Sequence, residues 1–212
     1  MSDEIKEMFK KPFVGAVIGD AHTGKSNLLY HIIETLTDNY QFNLYTYGLK
    51  SDVEQATKIY SLDELEKIKD SIIFLDEFYD LFDLEDRHNK IIAERTMRLL
   101  FHNNNIIILC GLPENYKKFI SAKITKVFYK QCTFEDFING SSAKKNIIKY
   151  HGENRGSSLL HLGKDECVIY DGKHYQNYKI PYLEQYDSKK DNVEILVKKS
   201  VVKSVGENVH KV

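Results

Sequence analysis

The sequence predicts an α/β domain: a mostly parallel sheet flanked by helices, closed by a short antiparallel β extension. Three observations lead there. Short apolar runs alternate with amphipathic stretches through the first 138 residues, the pattern of strands that need helical crossovers. Two of those runs end on chemistry, residues 13–19 on a glycine turn and residues 71–77 on two acids. Beyond residue 146 the runs shorten and follow one another across Gly-containing turns, as hairpin strands do.

Taken in order, FVGAVIG (13–19) is apolar throughout and reads as a buried parallel strand. From Gly24 to Leu36 a helix is predicted, because Leu28, Leu29, Ile32 and Ile33 share one stripe. FNLYTY (42–47) is a second strand, and Ser61 is a suitable N-cap for a helix running through LDELEKIK. SIIFLDE (71–77) is a third strand. A long helix over 86–102 follows, with Ile91, Ile92, Arg95, Leu99 and His102 at helical spacing. Asn103-Asn104-Asn105 reads as the turn into a fourth buried strand, 105–110, which Gly111-Leu112-Pro113 stops. A helix over 114–121, a strand over 125–130 and a short helix over 133–138 continue the alternation. Residues 146–152, 157–162, 166–172 and 174–180 are the late strands. Residues 1–183 thus read as one domain, and 184–212, Lys-rich and without period, as a mobile tail.

At 212 residues the chain can bury a sizeable core, and its 42% hydrophobic content is that of a soluble globular protein. The start, MSDEIKEMFKK, has no apolar segment of the kind that directs secretion, and no apolar run is long enough for a membrane span. Cys110, Cys132 and Cys167 are far apart and read as small buried residues in a reducing cytosol. A net charge of −1 announces no polyanionic partner, although residues 51–90 are acid-rich and 117–155 base-rich. Only four arginines are present: Arg87, Arg95, Arg98 and Arg155.

Residues 19–26, Gly-Asp-Ala-His-Thr-Gly-Lys-Ser, match the phosphate-binding pattern GxxxxGK[ST] between a strand and a helix. Gly19 and Gly24 let the backbone curl so that the amides of Asp20, Ala21, His22 and Thr23 turn inward, and the following helix adds its positive end. Asn27 stands in the first turn of that helix. Lys25 is a point charge for the outer phosphates of ATP, and Ser26 a hydroxyl for Mg2+. Asp76 and Glu77 arrive at a carboxyl strand end, where parallel sheets bind ligands. Asp76 reads as the second metal residue and Glu77 as the base that polarises water. The adjacent acid pair and the scarcity of arginine favour hydrolysis over phosphoryl transfer to a second substrate. Together these features predict the P-loop NTPase sheet of the ASCE/RecA-like kind.

GDAHTGKS, IIFLDE, a helix, NIIILCGLP and the late ECVIYDGKHYQNYKIP together resemble the FtsK/HerA-type ATPases, and within them the compact genome-packaging ATPases of viruses. The resemblance covers about residues 12–183. It implies a sheet in which the 105–110 strand lies between the P-loop strand and the Asp76 strand, and a late strand pair, near 168–173, that closes the core. It also implies a homo-oligomeric ring, ATP between neighbours, double-stranded DNA in a central channel and a capsid or portal vertex as partner. The implied location is the cytoplasm of a host cell, or the virion. Two family features depart. The Thr-Gln that often ends the 105–110 strand is Cys110-Gly111 here, with Asn115 a candidate replacement for the γ-phosphate sensor. The arginine often donated to the neighbour's ATP aligns with His102; Arg98 is the first substitute, Arg155 the second and Arg95 the third.

Lys117, Lys118, Lys123, Lys126 and Lys130 are the lysines whose spacing suits sequence-independent contact with DNA phosphates. Two other readings compete with packaging. A phage-morphogenesis or conjugation-type transport ATPase keeps the chemistry and changes the cargo. A nucleotide-binding switch that does not translocate has no use for Glu77.

Overall fold

The computed structural model describes residues 2–37, 43–82, 86–112, 123–132, 159, 161–171, 173–181 and 183. Contacts divide the chain into Met1–Tyr182 and Leu183–Val212, and the description below concerns the first unit. Its strands are β1 (Val14–Ile18), β2 (Asn43–Tyr47), β3 (Ala56–Lys58), β4 (Ser71–Asp76), β5 (Ile106–Gly111), β6 (Lys126–Tyr129), β7 (Glu166–Tyr170) and β8 (Tyr175–Lys179). Its helices are α1 (Ser2–Met8), α2 (Lys25–Thr37), α3 (Leu62–Leu65), α4 (Phe78–Phe82) and α5 (Arg87–His102).

Among the described residues, eight strands form one sheet in the order β3-β2-β4-β5-β1-β6-β7-β8. The first six run parallel, while β7 and β8 pair antiparallel. The three central strands, β4, β5 and β1, are buried along their whole length, as continuous apolar runs require when helices cover both faces. β5 lies between β1 and β4, as the family resemblance implied. In register, Asp76 stands opposite Cys110, and Cys110 opposite Val17. The carboxyl ends of β1 and β4, with Gly19 and Asp76, therefore reach the same edge.

Helix α2 buries Leu28, Leu29, Ile32 and Ile33 as its pattern predicts. Ser61 caps α3 through the Glu64 amide, and Asp86 caps α5 through the amides of His88 and Asn89. Helix α5 faces the core differently from its predicted spacing. Ala93, Thr96, Met97 and Leu100 are buried, whereas Ile91, Arg95, Arg98 and His102 form an exposed stripe. A face carrying Arg95 and His102 could be buried only against partners for both. The face with Thr96 needs one, because its hydroxyl donates to Glu66 Oε1 at 2.8 Å.

Three elements escape the sequence pattern. β3 is a three-residue edge strand, α4 is one short turn after Glu77, and α1 hides Ile5 among charged residues. Helix α1 brings Ile5 and Phe9 into the core, with the Phe9 ring edge-on to Phe13 at 5.2 Å. The predicted strand over 157–162 is corrected at its described positions. Leu159 is buried with its carbonyl accepting from Cys132 N at 3.2 Å, and Leu159, His161 and Leu162 join no ladder. The predicted helices over 114–121 and 133–138, the strand over 146–152 and the tail over 184–212 lie outside the described residues. Cys110, Cys132 and Cys167 are buried.

Candidate functional site

Between β1 and α2 the chain makes a tight curl. Gly24 sits at φ +88°, a conformation that costs glycine nothing, and His22 at φ 62° shares the left-handed region. The Asp20 carbonyl gathers the inside of the curl, accepting from Thr23 Oγ1 at 2.9 Å and from Lys25 Nζ at 2.7 Å. Outside, Asp20 N donates to the Gln131 carbonyl at 2.9 Å, tying the loop to the end of β6. Among the described residues no oxygen accepts from the amides of Ala21, His22, Thr23 or Gly24. Donors left over at the start of a helix suit an anion. Asn27, one turn on and also assigned to the nucleotide site, donates its side-chain amide to the Pro181 carbonyl at 3.2 Å.

The second half of the site comes from β4. Asp76 is 5% exposed, and its Oδ2 accepts from Ser26 Oγ at 2.9 Å. These two residues, 50 apart in sequence, put a carboxylate and a hydroxyl at one point, a donor set that fits magnesium. Asp76 Oδ1 accepts from Glu77 N at 3.2 Å. Glu77 itself stands at φ 50°, uncommon for a non-glycine residue, before α4 turns the chain away. Burial and then the Asp76 charge push the Glu77 carboxyl above the usual carboxylate range, while Lys25 acts in the opposite sense.

Two further segments brace Asp76. Beyond β2, Gly48 (φ +76°) passes so close that a Cβ there would stand 2.2 Å from the Asp76 carbonyl oxygen. Three residues on, Ser51 is bound to α2, donating its amide to Tyr30 Oη at 2.8 Å and accepting that hydroxyl at 3.3 Å. On the β5 side the buried Cys110 thiol faces Asp76. Its pKa is pushed well up, first by burial and then by the Asp76 charge and hydrogen bond. Neither contact was read from the sequence. A glycine directly after the strand FNLYTY was the one available signal, at the edge where ligands bind.

Other predicted residues fall elsewhere. Arg98 and Arg95 are exposed on α5, and neither makes a hydrogen bond or ion pair with the loop or with Asp76–Glu77 among the described residues. Arg155, Asn115, Lys117 and Lys118 lie outside the described residues. One of the lysines assigned to a DNA surface is corrected, and another is partly engaged by the chain. Lys130 is fully buried, with Nζ bound to the carbonyls of Lys164 and Glu166. Lys126 is half-buried, donating to the Met8 carbonyl at 2.6 Å and lying over the Phe13 ring. Spacing alone did not reveal that β6 is an inner strand once β7 pairs with it.

No family model matches this sequence, and neither does any curated protein. Solved structures do. The genome packaging NTPase B204 of Sulfolobus turreted icosahedral virus 2, in complex with sulfate, superposes with a TM-score of 0.60 at 15% identity, over 81% of this chain and 98% of that one. The chain therefore shares the fold of that NTPase. The pCW3 conjugation coupling protein TcpA, with ATPgS, matches at TM-score 0.56 and 17% identity over 89% of this chain and 65% of its own. EssC (ATPases 2 and 3) from Geobacillus thermodenitrificans matches at 0.53 and 10% over 96% of this chain and 46% of its own. At such identities the likeness concerns the fold. No helix among the described residues is long and apolar enough to cross a membrane.

Proposed function

We propose that this chain is an ATP-hydrolysing motor that translocates double-stranded DNA and packages a viral genome into a capsid. The observation that carries the reading is the extent of the B204 likeness, 98% of a genome packaging NTPase, against 65% and 46% of the conjugation and EssC proteins. The site supplies the chemistry. The amides of residues 21–24 and the Lys25 ammonium bind and orient the phosphate chain. Ser26 and Asp76 hold Mg2+, which when bound neutralises charge on the phosphate oxygens. Glu77 takes the proton of the attacking water, and its burial beside Asp76 raises its pKa, which makes it a stronger base than an ordinary carboxylate. Arg98, on the exposed stripe of α5, is the first candidate for a residue given to a neighbouring subunit's site. The domain is residues 1–183, its partners are DNA and the capsid or portal vertex, and the working form is a ring.

The test is ATPase activity with and without long double-stranded DNA, for the wild type and Glu77→Gln. The motor reading expects DNA to stimulate hydrolysis, and Glu77→Gln to retain ATP binding while turnover falls by about 10²–10⁴-fold. Equal rates with and without DNA would remove translocation from the reading. TcpA supports a second reading, conjugation-type transfer, through its likeness over 89% of this chain. Retention on assembled capsids favours packaging, and its absence favours transfer.

A further inference from the structure

A second lysine lies beneath the phosphate loop. Lys130 follows β6, and its amide donates to the Ile18 carbonyl at 2.7 Å, immediately before the loop begins. Its side chain then runs under the curl. A Cβ placed on Gly19 would stand 2.6 Å from Lys130 Cβ, and one on Gly24 would stand 3.6 Å from Cε and 3.7 Å from Nζ. The residue is 0% exposed.

A buried ammonium needs compensation, and here it comes from backbone dipoles. Nζ donates to the carbonyls of Lys164, at 2.8 Å, and Glu166. Among the described residues no carboxylate forms an ion pair with it. Burial lowers its pKa, while nearby Cys167, Asp165 and Glu166 favour the charged form; the Glu166 carboxylate itself accepts from Gly163 N. The same Lys164 carbonyl oxygen would be 3.0 Å from a Cβ on Gly24. Without the ammonium, two carbonyl oxygens would turn their negative ends toward an anion-binding loop. With it, a whole positive charge stands in low dielectric directly behind that loop.

We propose that Lys130 is a second phosphate-site lysine, a buried positioning residue whose charge beneath Gly19 and Gly24 strengthens binding of the nucleotide's phosphate chain without touching it. The inference rests on the reading of residues 19–26 as a nucleotide site. It explains why a long cationic side chain is kept in the interior where an apolar one would pack. A purely mechanical staple, holding the 163–166 segment to the loop, is the competing account. The two differ in how the effect depends on ligand charge.

The experiment measures affinities of the intact protein for ATP, ADP and AMP by calorimetry, for the wild type, Lys130→Met and Lys130→Gln. Glutamine keeps a donor for the two carbonyls and removes the charge. We expect both variants to lose about tenfold or more in affinity for ATP and ADP, and clearly less for AMP. The nucleotide-free melting temperature of Lys130→Gln should stay near the wild type's, since its amide still donates to the carbonyls, whereas Lys130→Met removes that donor and should melt lower. Equal losses for all three nucleotides with a lowered melting temperature, or failure of both variants to fold, would establish the staple and overturn the proposal. Variants that bind as the wild type does would overturn this inference alone. A wild type that binds none of the three would remove the nucleotide reading, and this inference with it.

Discussion

Asn105→Ala should cost this domain more stability than its place in an Asn-Asn-Asn turn suggests. Asn105 is 0% exposed at the start of β5. Its Oδ1 accepts from Ser71 N at 3.0 Å, and its Nδ2 donates to the carbonyls of Ile68 and Leu100, each at 2.9 Å. Alanine leaves the buried Ser71 amide without that acceptor, a cost of about 1–3 kcal/mol. The two carbonyls fare better. Asn103 Nδ2 still reaches Ile68 O at 3.2 Å, and Asn105 N still reaches Leu100 O at 3.4 Å. Losing the two Nδ2 bonds therefore adds only about 1 kcal/mol each, for a total of about 3–5 kcal/mol. For a chain of this size that is a fall of about 10 °C in melting temperature. Urea titration and thermal melting followed by circular dichroism would measure it. Asn104→Gly is the control: Asn104 is exposed at φ 62°, and glycine there should change stability by less than about 1 kcal/mol. The joint lies at the opposite ends of β4 and β5 from Asp76, so nucleotide affinity well below the melting range should be unchanged. A loss under about 1 kcal/mol for Asn105→Ala would refute the assignment of Asn105 as the pin.

Four further outcomes are expected. Gly48→Ala should destabilise by more than about 1 kcal/mol and lower ATP turnover with it, because the methyl meets the Asp76 carbonyl at 2.2 Å and φ is +76°; melting and steady-state kinetics test both. The acid limb of the pH–rate profile should lie above the ordinary glutamate value of about 4.3, since burial and Asp76 hold the Glu77 carboxyl protonated to higher pH. By the same linkage, the raised pKa makes the folded state lose stability as pH rises from that ordinary value through the folded one, so Glu77→Gln should melt higher than the wild type at neutral pH and lose the advantage in acid. Mixing Arg98→Ala with Lys25→Ala should restore hydrolysis that neither has alone; no recovery at any ratio would exclude Arg98 as a residue given in trans.

Much of this protein is decided by short stretches of chain. A curl between a buried strand and an amphipathic helix needs only residues 14–37, and four apolar residues suffice to deliver Asp76 and Glu77 to a strand end. Such features are legible because their causes, side-chain period and backbone freedom at glycine, act over a few residues. Helix α2 and strands β1, β4 and β5 accordingly fall where the pattern puts them. Strand order is different: β5 lies between β1 and β4 through pairings 93 and 34 residues apart, and family resemblance anticipated it where periodicity could not. The phosphate loop shows the division most clearly. Its glycines, Lys25 and Ser26 announce themselves in sequence, but the Asp76 carboxylate that Ser26 meets comes from β4, and the Lys130 ammonium beneath it follows β6. In the sequence Lys130 looks like one of five surface lysines. Only when β7 pairs with β6, and the 163–166 segment closes over the loop, do two carbonyls become available to hold a charge inside. A lysine's burial depends on partners that folding brings from a distance, and no local spacing encodes them.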